Sequence, residues 1–317
     1  MMLLRSLREA DAPRTIRGGA VTIGNFDGVH LGHVVILRRL VELARECGGH
    51  AVVFTFDPHP VRLLRPGEAP PPLTWTERKA ELLAREGVDA VIAYPTDVEL
   101  LALEPFSFFE RIVVAALGAR AIVEGVDFRF GRGRAGDRTM LERLCRAARV
   151  RLETVAPRRD GDEPVSSSRI RHLIRAGDVQ TAARMLTQPY RIRGMVTHGA
   201  QRGRLIGFPT ANLAGIDTLL PSHGVYAGRA IWSGRNGPAA IHIGPSPTFG
   251  EALPRVEAHL IGFEGSLYGE LVELEFLQRI RDIRPFPSAV ELRAQLARDI
   301  ERAEAVHADL GYDSASD

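Results

Sequence analysis

The chain reads as α/β plus β: a parallel sheet flanked by helices in the first half, then a small antiparallel β-barrel with a terminal helix. Three observations predict it. Strand-like and helix-like blocks alternate as far as Val155, the pattern of a doubly wound sheet. From Gln188-Pro189 onward the pattern changes to short β-rich runs broken by Gly- and Pro-containing turns. The length, 317 residues, exceeds what one core supports and suits two domains of roughly 100–200 residues each. We therefore expect domains at 1–187 and 188–317.

Each element has a local reason. Ala20 to Ile23 is an apolar run stopped by Gly24. From Val29 to Cys47 the apolar residues Val34, Val35, Leu37, Leu40, Val41 and Ala44 recur at helical spacing, and Gly48-Gly49 close the helix. His50 to Phe56 is β-branched and aromatic and ends at Asp57-Pro58-His59-Pro60. Helix–strand pairs follow at Glu77–Glu86 with Ala90–Tyr94, Phe106–Leu117 with Ala121–Glu124, and Met140–Ala148 with Arg151–Val155. In the second half, YRIRGMV, GVYAGRAIW, PAAIHIG, RVEAHLIGF and LVELEFL are the barrel strands. An amphipathic helix from about Ser288 to Ala308 carries the stripe Leu292, Leu296, Ile300 and Ala303.

Composition excludes several classes. Hydrophobic residues at 45% and charged residues at 25% match a folded globular chain. A net charge of +2 gives no field suited to nucleic acid or an anionic membrane. No apolar run approaches the ~20 residues of a membrane span, and the charged start MMLLRSLREADAPR lacks a signal-peptide apolar core. These features lead us to expect a cytoplasmic protein with small-molecule partners, and neither nucleic acid nor membrane among them; oligomeric state is not encoded legibly. Cys47 and Cys145 lie far apart, which leaves no disulfide framework and no CxxC site. Of 41 basic residues only Lys79 is lysine. A Walker A loop needs a lysine after its glycines, so if this chain handles ATP, it must hold the phosphates with Arg, His, backbone N–H and metal.

Candidate chemistry concentrates in a few blocks. Gly24-Asn25-Phe26-Asp27-Gly28-Val29-His30-Leu31-Gly32-His33 leaves the first strand and opens the first helix, where orphan N–H groups and the helix dipole favour an anion. His30 and His33, at i and i+3, share one face of the first turn. Alone, the same letters describe a glycine turn with two surface histidines. Ser166, Ser167 and Ser168 offer hydroxyls at a helix start, and Arg171 offers a bidentate phosphate ligand; a plain N-cap explains them too. Asp127 and Phe128 follow the strand Ala121–Glu124 at the ligand edge, and Phe128 and Phe130 can pack against a planar ring or against the core. Asp57 and His59 end another strand, where turn chemistry accounts for them equally. In the second half, GAQRGRLIGFPTAN brings Gly199, Gly203, Gly207, Arg202 and Arg204 together as a phosphate-loop candidate. Pro209 prevents a helix and keeps its successors extended, so Thr210 and Asn212 point the same way; oxygen donors on one face beside phosphates suit Mg²⁺. Glu257 and His259 share one face of the strand VEAHL.

The first block resembles the (H/T)xGH signature of nucleotidyltransferases. GNFDGVHLGH with TFDPHP, GVDFRFG, VSSSRIR, GFPTAN, GVY, PTF and VEAHL, in that order, is similar to the bacterial bifunctional riboflavin kinase/FMN adenylyltransferase family, also called FAD synthetase. The likeness covers nearly the whole chain. It implies a Rossmann-like nucleotidyltransferase domain that joins FMN and ATP to give FAD and pyrophosphate. It also implies a kinase barrel that phosphorylates riboflavin with ATP and Mg²⁺. By resemblance His30 and His33 contact ATP phosphates and the transition state. Gly24, Phe26, Asp27, Gly32, Ser166–Ser168 and Arg171 line the nucleotide in the first domain, with Asp57, Asp127 and Phe128 on the flavin. In the second, Gly199, Gly203, Arg204, Gly207 and Pro209 hold nucleotide, Thr210 and Asn212 coordinate Mg²⁺, and Glu257 is the base for the ribityl hydroxyl. Departures from the family wording are Val34 for Gln, His242 for Asn, GAQRG for GDGRG and Ser168 for Thr; they bear on rate and affinity. Two alternatives stand beside this reading: an enzyme with one silent module, and a flavin-binding protein without turnover.

Overall fold

Short β-branched runs bounded by turns become strands because their side chains fit a pleated, buried surface, and here they build two separate sheets. The computed structural model describes residues 1–5, 16–199, 203, 207–245 and 254–311. By packing, the chain divides into Met1–Pro70 with Trp75–Ser166, and Pro71–Thr74 with Ser167–Asp317.

The first unit runs β1 (Met2–Leu4), β2 (Ala20–Ile23), α1 (Leu31–Glu46), β3 (Ala51–Asp57), α2 (Pro60–Leu64), α3 (Thr76–Arg85), β4 (Ala90–Pro95), α4 (Val98–Ala102) and α5 (Pro105–Phe108). A widened π-helical segment, Phe109–Ala116, continues α5, and β5 (Ala121–Gly125), α6 (Arg138–Ala148), β6 (Arg151–Val155) and the small pair β7 (Arg159–Asp160) and β8 (Glu163–Pro164) complete the unit. The sheet is six-stranded, ordered β1-β4-β3-β2-β5-β6, and its pairings are parallel. Period two sorts each strand between two apolar layers: Val52 and Phe54 face the layer holding Phe109 and Ile122, whereas Ala51 and Val53 face the layer holding Leu37, Leu40 and Leu83.

Chain order reverses between β2 and β5, and an open sheet of this kind binds ligands at that crevice, beyond the strands' carboxyl ends. The β2–β5 ladder pairs Ala20 with Ala121 and Val21 with Ile122. Beyond it, the Ile23 N–H donates instead to Glu124 Oε1 at 2.7 Å. A side-chain carboxyl thus replaces a backbone acceptor where the strands part.

The second unit begins with α7 (Ser167–Ala176) and α8 (Val179–Met185), continues through the strands β9 (Tyr190–Thr197), β10 (Ala211–Ala214), β11 (Gly224–Trp232), β12 (Arg235–Gly244), β13 (Arg255–Leu260) and β14 (Leu271–Arg281), and ends in α9 (Ala289–Asp309). The strands close as β10-β13-β12-β11-β14-β9, with β9 pairing back to β10 antiparallel. Along β13, Val256, Ala258 and Leu260 point into the barrel core and are buried, while Glu257 and His259 point out. Ser288 caps α9, its Oγ accepting from Glu291 N at 3.2 Å, and Ala303 and Val306 cover Ala227 and Leu277 on the barrel's outer face. The packing division falls at Ser166–Ser167, ahead of the change in sequence character, because α7 and α8 go with the barrel.

Candidate active sites

In the first unit the Gly24–His33 block lies at the sheet crevice. Its backbone is strained: Phe26 and Val29 take φ of 46° and 40°, and a β-branched residue there costs about 1–3 kcal/mol. His30 is the N-cap of α1 with extended backbone. Its backbone N–H donates to His33 Nδ1 at 3.3 Å, and the two imidazoles stack with centroids 3.6 Å apart. Accepting at Nδ1 leaves the His33 proton on Nε2. Burial first, then His30, then Lys79 hold the His33 imidazole well below the ordinary histidine range, so it stays a neutral donor. A Cβ on Gly32 would stand 2.9 Å from the Val165 carbonyl oxygen and 3.0 Å from the His30 ring. No side chain fits at Gly32 without moving the Val165 carbonyl or the His30 ring.

The other expected residues of this unit spread along the carboxyl edge of the sheet. Asp27 is buried in the same loop as the histidines. Asp57 ends β3, where its Oδ2 accepts from Thr76 Oγ1 at 2.7 Å and from Arg5 at 3.2 Å. His59 caps α2, with Nδ1 accepting from Val61 N at 3.1 Å. Past β5, Asp127 is exposed and Phe128 stacks on the buried Phe130 with centroids 5.6 Å apart. Ser166 closes the first unit, while Ser167, Ser168 and Arg171 belong to the second. Arg171 is buried, and its Nε donates to the Pro71 carbonyl at 3.0 Å. Two polar residues of the first unit are buried where nothing in the sequence signals it. Glu124 is buried, and that burial raises its carboxyl well above the ordinary range. Lys79 is buried too, and desolvation lowers its ammonium against the pull of Asp27 and Asp57.

In the second unit a cavity of about 370 Å³ opens on the outer face of the barrel. Three cross-strand neighbours form its floor: Glu257 on β13 stands opposite Asn212 on β10 and His242 on β12. Thr210 and Phe208 line one side, and Phe286, Leu292, Leu296 and Ile300 the other. The stripe expected on the terminal helix therefore divides its work. Ala303 and Val306 are buried against the barrel, while Leu292, Leu296 and Ile300 stay half-buried because they wall a cavity.

Arg255 lies 3.4 Å from Glu257 Oε1. Burial lowers the His242 imidazole, opposed by Glu257 and reinforced by Arg281, Arg255 and His223. Gly199 packs so tightly on Asn212 that an added Cβ would lie 2.3 Å from its side-chain nitrogen. Phe208 N donates to the Gly203 carbonyl at 2.9 Å, closing the loop's end. His259, which the sequence showed on the Glu257 face, has a ring nitrogen 2.7 Å from the Pro209 carbonyl and an edge-on contact with Phe208, so it anchors the FPTAN turn. Gly207 and Pro209 are exposed beside it. Arg202, Arg204 and Pro247-Thr248-Phe249 lie outside the described residues.

Comparisons with known proteins match both units. Residues 12–169 match the FAD synthetase family model, and residues 186–307 match that for riboflavin kinase. A bifunctional riboflavin kinase/FMN adenylyltransferase of Haemophilus influenzae is 35% identical over 306 residues, 96% of this chain and 99% of its own length. The protein of that description from Escherichia coli K12 is 34% identical over 94% of this chain and 96% of its own. A crystal structure from Streptococcus pneumoniae, described as a macrolide-efflux protein, superposes with a TM-score of 0.86 at 30% identity, covering 96% of this chain and 99% of that one. Among the described residues no helix is long and apolar enough to cross a membrane.

Proposed function

The chain belongs to the bifunctional riboflavin kinase/FMN adenylyltransferase family, and from that premise we propose which residues perform each of its two reactions. It phosphorylates riboflavin to FMN with ATP and adenylates FMN to FAD. The observation that carries the assignment is that the candidate residues fall into two chemically complete sets. His30 and His33 stand at a helix start in the sheet crevice; Thr210, Asn212 and Glu257 line one barrel cavity. We divide the activities between residues 187 and 188, where the barrel sequence begins.

For adenylyl transfer, an FMN phosphate oxygen attacks the α-phosphorus of ATP and pyrophosphate leaves. No covalent enzyme intermediate is needed, so positioning and charge stabilisation carry the step. A neutral His33 donating from Nε2 and the N–H groups at the start of α1 meet the developing charge. Gly24, Phe26, Asp27 and Gly32 shape the loop around the nucleotide, Asp57, Asp127 and Phe128 serve the flavin, and Ser166–Ser168 and Arg171 add phosphate contacts.

For phosphoryl transfer, the terminal ribityl hydroxyl attacks the γ-phosphorus, ADP leaves, and Glu257 takes the hydroxyl proton. Gly199, Gly203, Arg204, Gly207 and Pro209 serve the nucleotide. Thr210 and Asn212 are oxygen donors at i and i+2 beside the cavity, a set that fits Mg²⁺ with its retained waters. When bound, the ion neutralises phosphate charge. With a net charge of +2 and no membrane-length helix among the described residues, we read its partners as small molecules, not nucleic acid, and its location as cytoplasmic.

The test is a time course with riboflavin, ATP and Mg²⁺, the flavins separated by chromatography. Glu257→Ala should abolish FMN formation while still converting supplied FMN to FAD, and His30→Ala should do the reverse. A variant that keeps its own product at the wild-type rate removes that residue from the mechanism.

A further inference from the structure

This chain uses arginine 40 times and lysine once, and the lysine is not on the surface. Lys79 sits on α3 at 8% exposure. Its Nζ donates to Thr55 Oγ1 at 3.4 Å. Thr55, fully buried near the end of β3, donates its own hydroxyl to the Asn25 carbonyl at 3.1 Å. Asn25 lies in the loop that carries the chain from β2 to His30. One hydrogen-bonded line therefore runs from α3 through β3 to the strained turn that sets the two histidines. The charge on Lys79 interacts with Asp27 in that turn and with Asp57 at the end of β3.

Composition makes the choice of side chain informative. Burying an ammonium is costly even when it is paired, and everywhere else the chain meets its need for positive charge with arginine. A guanidinium brings five donors in a rigid fork, whereas an ammonium is a compact point charge on a thin stem. A hydroxyl and two carboxylates reached through the core suit the second and not the first.

We propose that Lys79 is a positioning residue for adenylyl transfer: its ammonium, through Thr55, ties β3 to the Asn25–Asp27 turn that leads into His30 and His33. The inference rests on the reading of His30 and His33 as the transfer residues. Lys79 reaches the chemistry through them and through the turn. The charged or titratable groups that act on His33 are His30 beside it and Lys79 from α3. Both disfavour the imidazolium. Protonated at Nδ1, His33 could no longer accept from the His30 N–H. Removing the lysine charge therefore lets His33 protonate at higher pH and lose the bond that orients it.

The experiment uses the full chain with Lys79→Met, Lys79→Arg and Thr55→Val, with FMN and ATP supplied and FAD measured. Thermal unfolding of each preparation, compared with wild type, checks that the first unit is folded. Lys79→Met should lower kcat for FAD formation about tenfold or more, as misplaced reacting groups do, with a smaller change in KM for ATP. The acid limb of its pH–rate profile should move to higher pH, and Lys79→Arg should recover part of the rate and restore the limb. Thr55→Val, which cuts the line at its middle while leaving the charge, should lower kcat with the limb unmoved. Wild-type FAD formation in both Lys79→Met and Thr55→Val overturns the proposal, as does a reduced rate in Lys79→Met with no movement of the limb. If Lys79→Met does not fold, Thr55→Val decides. His33→Ala run alongside separates the two failures. FAD formation surviving that change sinks the histidine assignment itself, whereas its loss there with survival in the other variants sinks the lysine proposal alone.

Discussion

Gly32, between the two histidines in sequence, shows how little room the proposed transfer site leaves at the level of single atoms. With the Val165 carbonyl and the His30 ring at about the minimum distance of a Cβ, Gly32→Ala must displace one of them. We expect it to abolish FAD formation while leaving riboflavin phosphorylation intact, checked by assaying the two products separately. Glu124 gives a prediction with a sign. Its folded-state pKa is raised above the ordinary 4.5, so the folded protein holds the proton more tightly than the unfolded chain. Stability is then lost as pH climbs from the unfolded value toward the folded one. Glu124→Gln keeps an oxygen for the Ile23 N–H and has no proton to lose. Its stability relative to wild type should rise as pH climbs above the ordinary carboxyl value of 4.5, read from thermal unfolding at each pH. The histidines were legible in the sequence because a cap position and an i, i+3 spacing fix where they point. The burial of Lys79 and Glu124 and the contact of His259 with Pro209 were not. TERKAELLAREG has the pattern of any amphipathic helix, and nothing in it tells that one of its charged residues is turned into the sheet.

Among the elements, the barrel carries a second cross-strand row besides Asn212–Glu257–His242. Arg191 on β9 and Arg229 on β11 flank Glu275 on β14 at matching register. Glu275 is fully buried, with Arg191 Nε at 3.0 Å and Arg229 Nη2 at 2.7 Å. This row joins three strands as the other does, and its charges are spent on one another. Breaking a buried ion pair by removing one partner costs about 3–5 kcal/mol, so Glu275→Gln should destabilise the barrel by that much in urea unfolding, followed by Trp232 fluorescence. The strand–helix alternation, the barrel strands and the terminal helix were readable from periodicity, because each buries one face. The strand Met2–Leu4 was not, being too short to show a period. Nor was the widened character of Phe109–Ala116: apolar spacing marks a helix there but does not distinguish i→i+4 from i→i+5 bonding.

At the scale of the whole molecule, His30 and His33 belong to one unit and Thr210, Asn212 and Glu257 to the other, which predicts complementation. If the proposed roles hold, Glu257→Ala should make no FMN and His30→Ala no FAD, yet an equimolar mixture given riboflavin and ATP should produce FAD, detected by chromatography. A mixture that stops at FMN would mean that the product of one unit is not accepted from solution by the other. Composition and periodicity reached a phosphate-handling α/β domain with a β domain after it; the flavin came from the ordered likeness of motifs, since no single side chain names an isoalloxazine. The cavity wall formed by Leu292, Leu296 and Ile300 read only as part of one apolar stripe with Ala303, because a stripe that lines a cavity has the spacing of one that fills it. The burial of the one lysine has a further consequence, for chemical labelling. In the native state an acylating reagent finds no exposed side-chain amine, so a label can reach Lys79 only when the first unit opens. Its rate of modification would report the opening free energy of that unit alone, in the way amide exchange does, inside a chain whose other unit carries no amine side chain to confuse the signal.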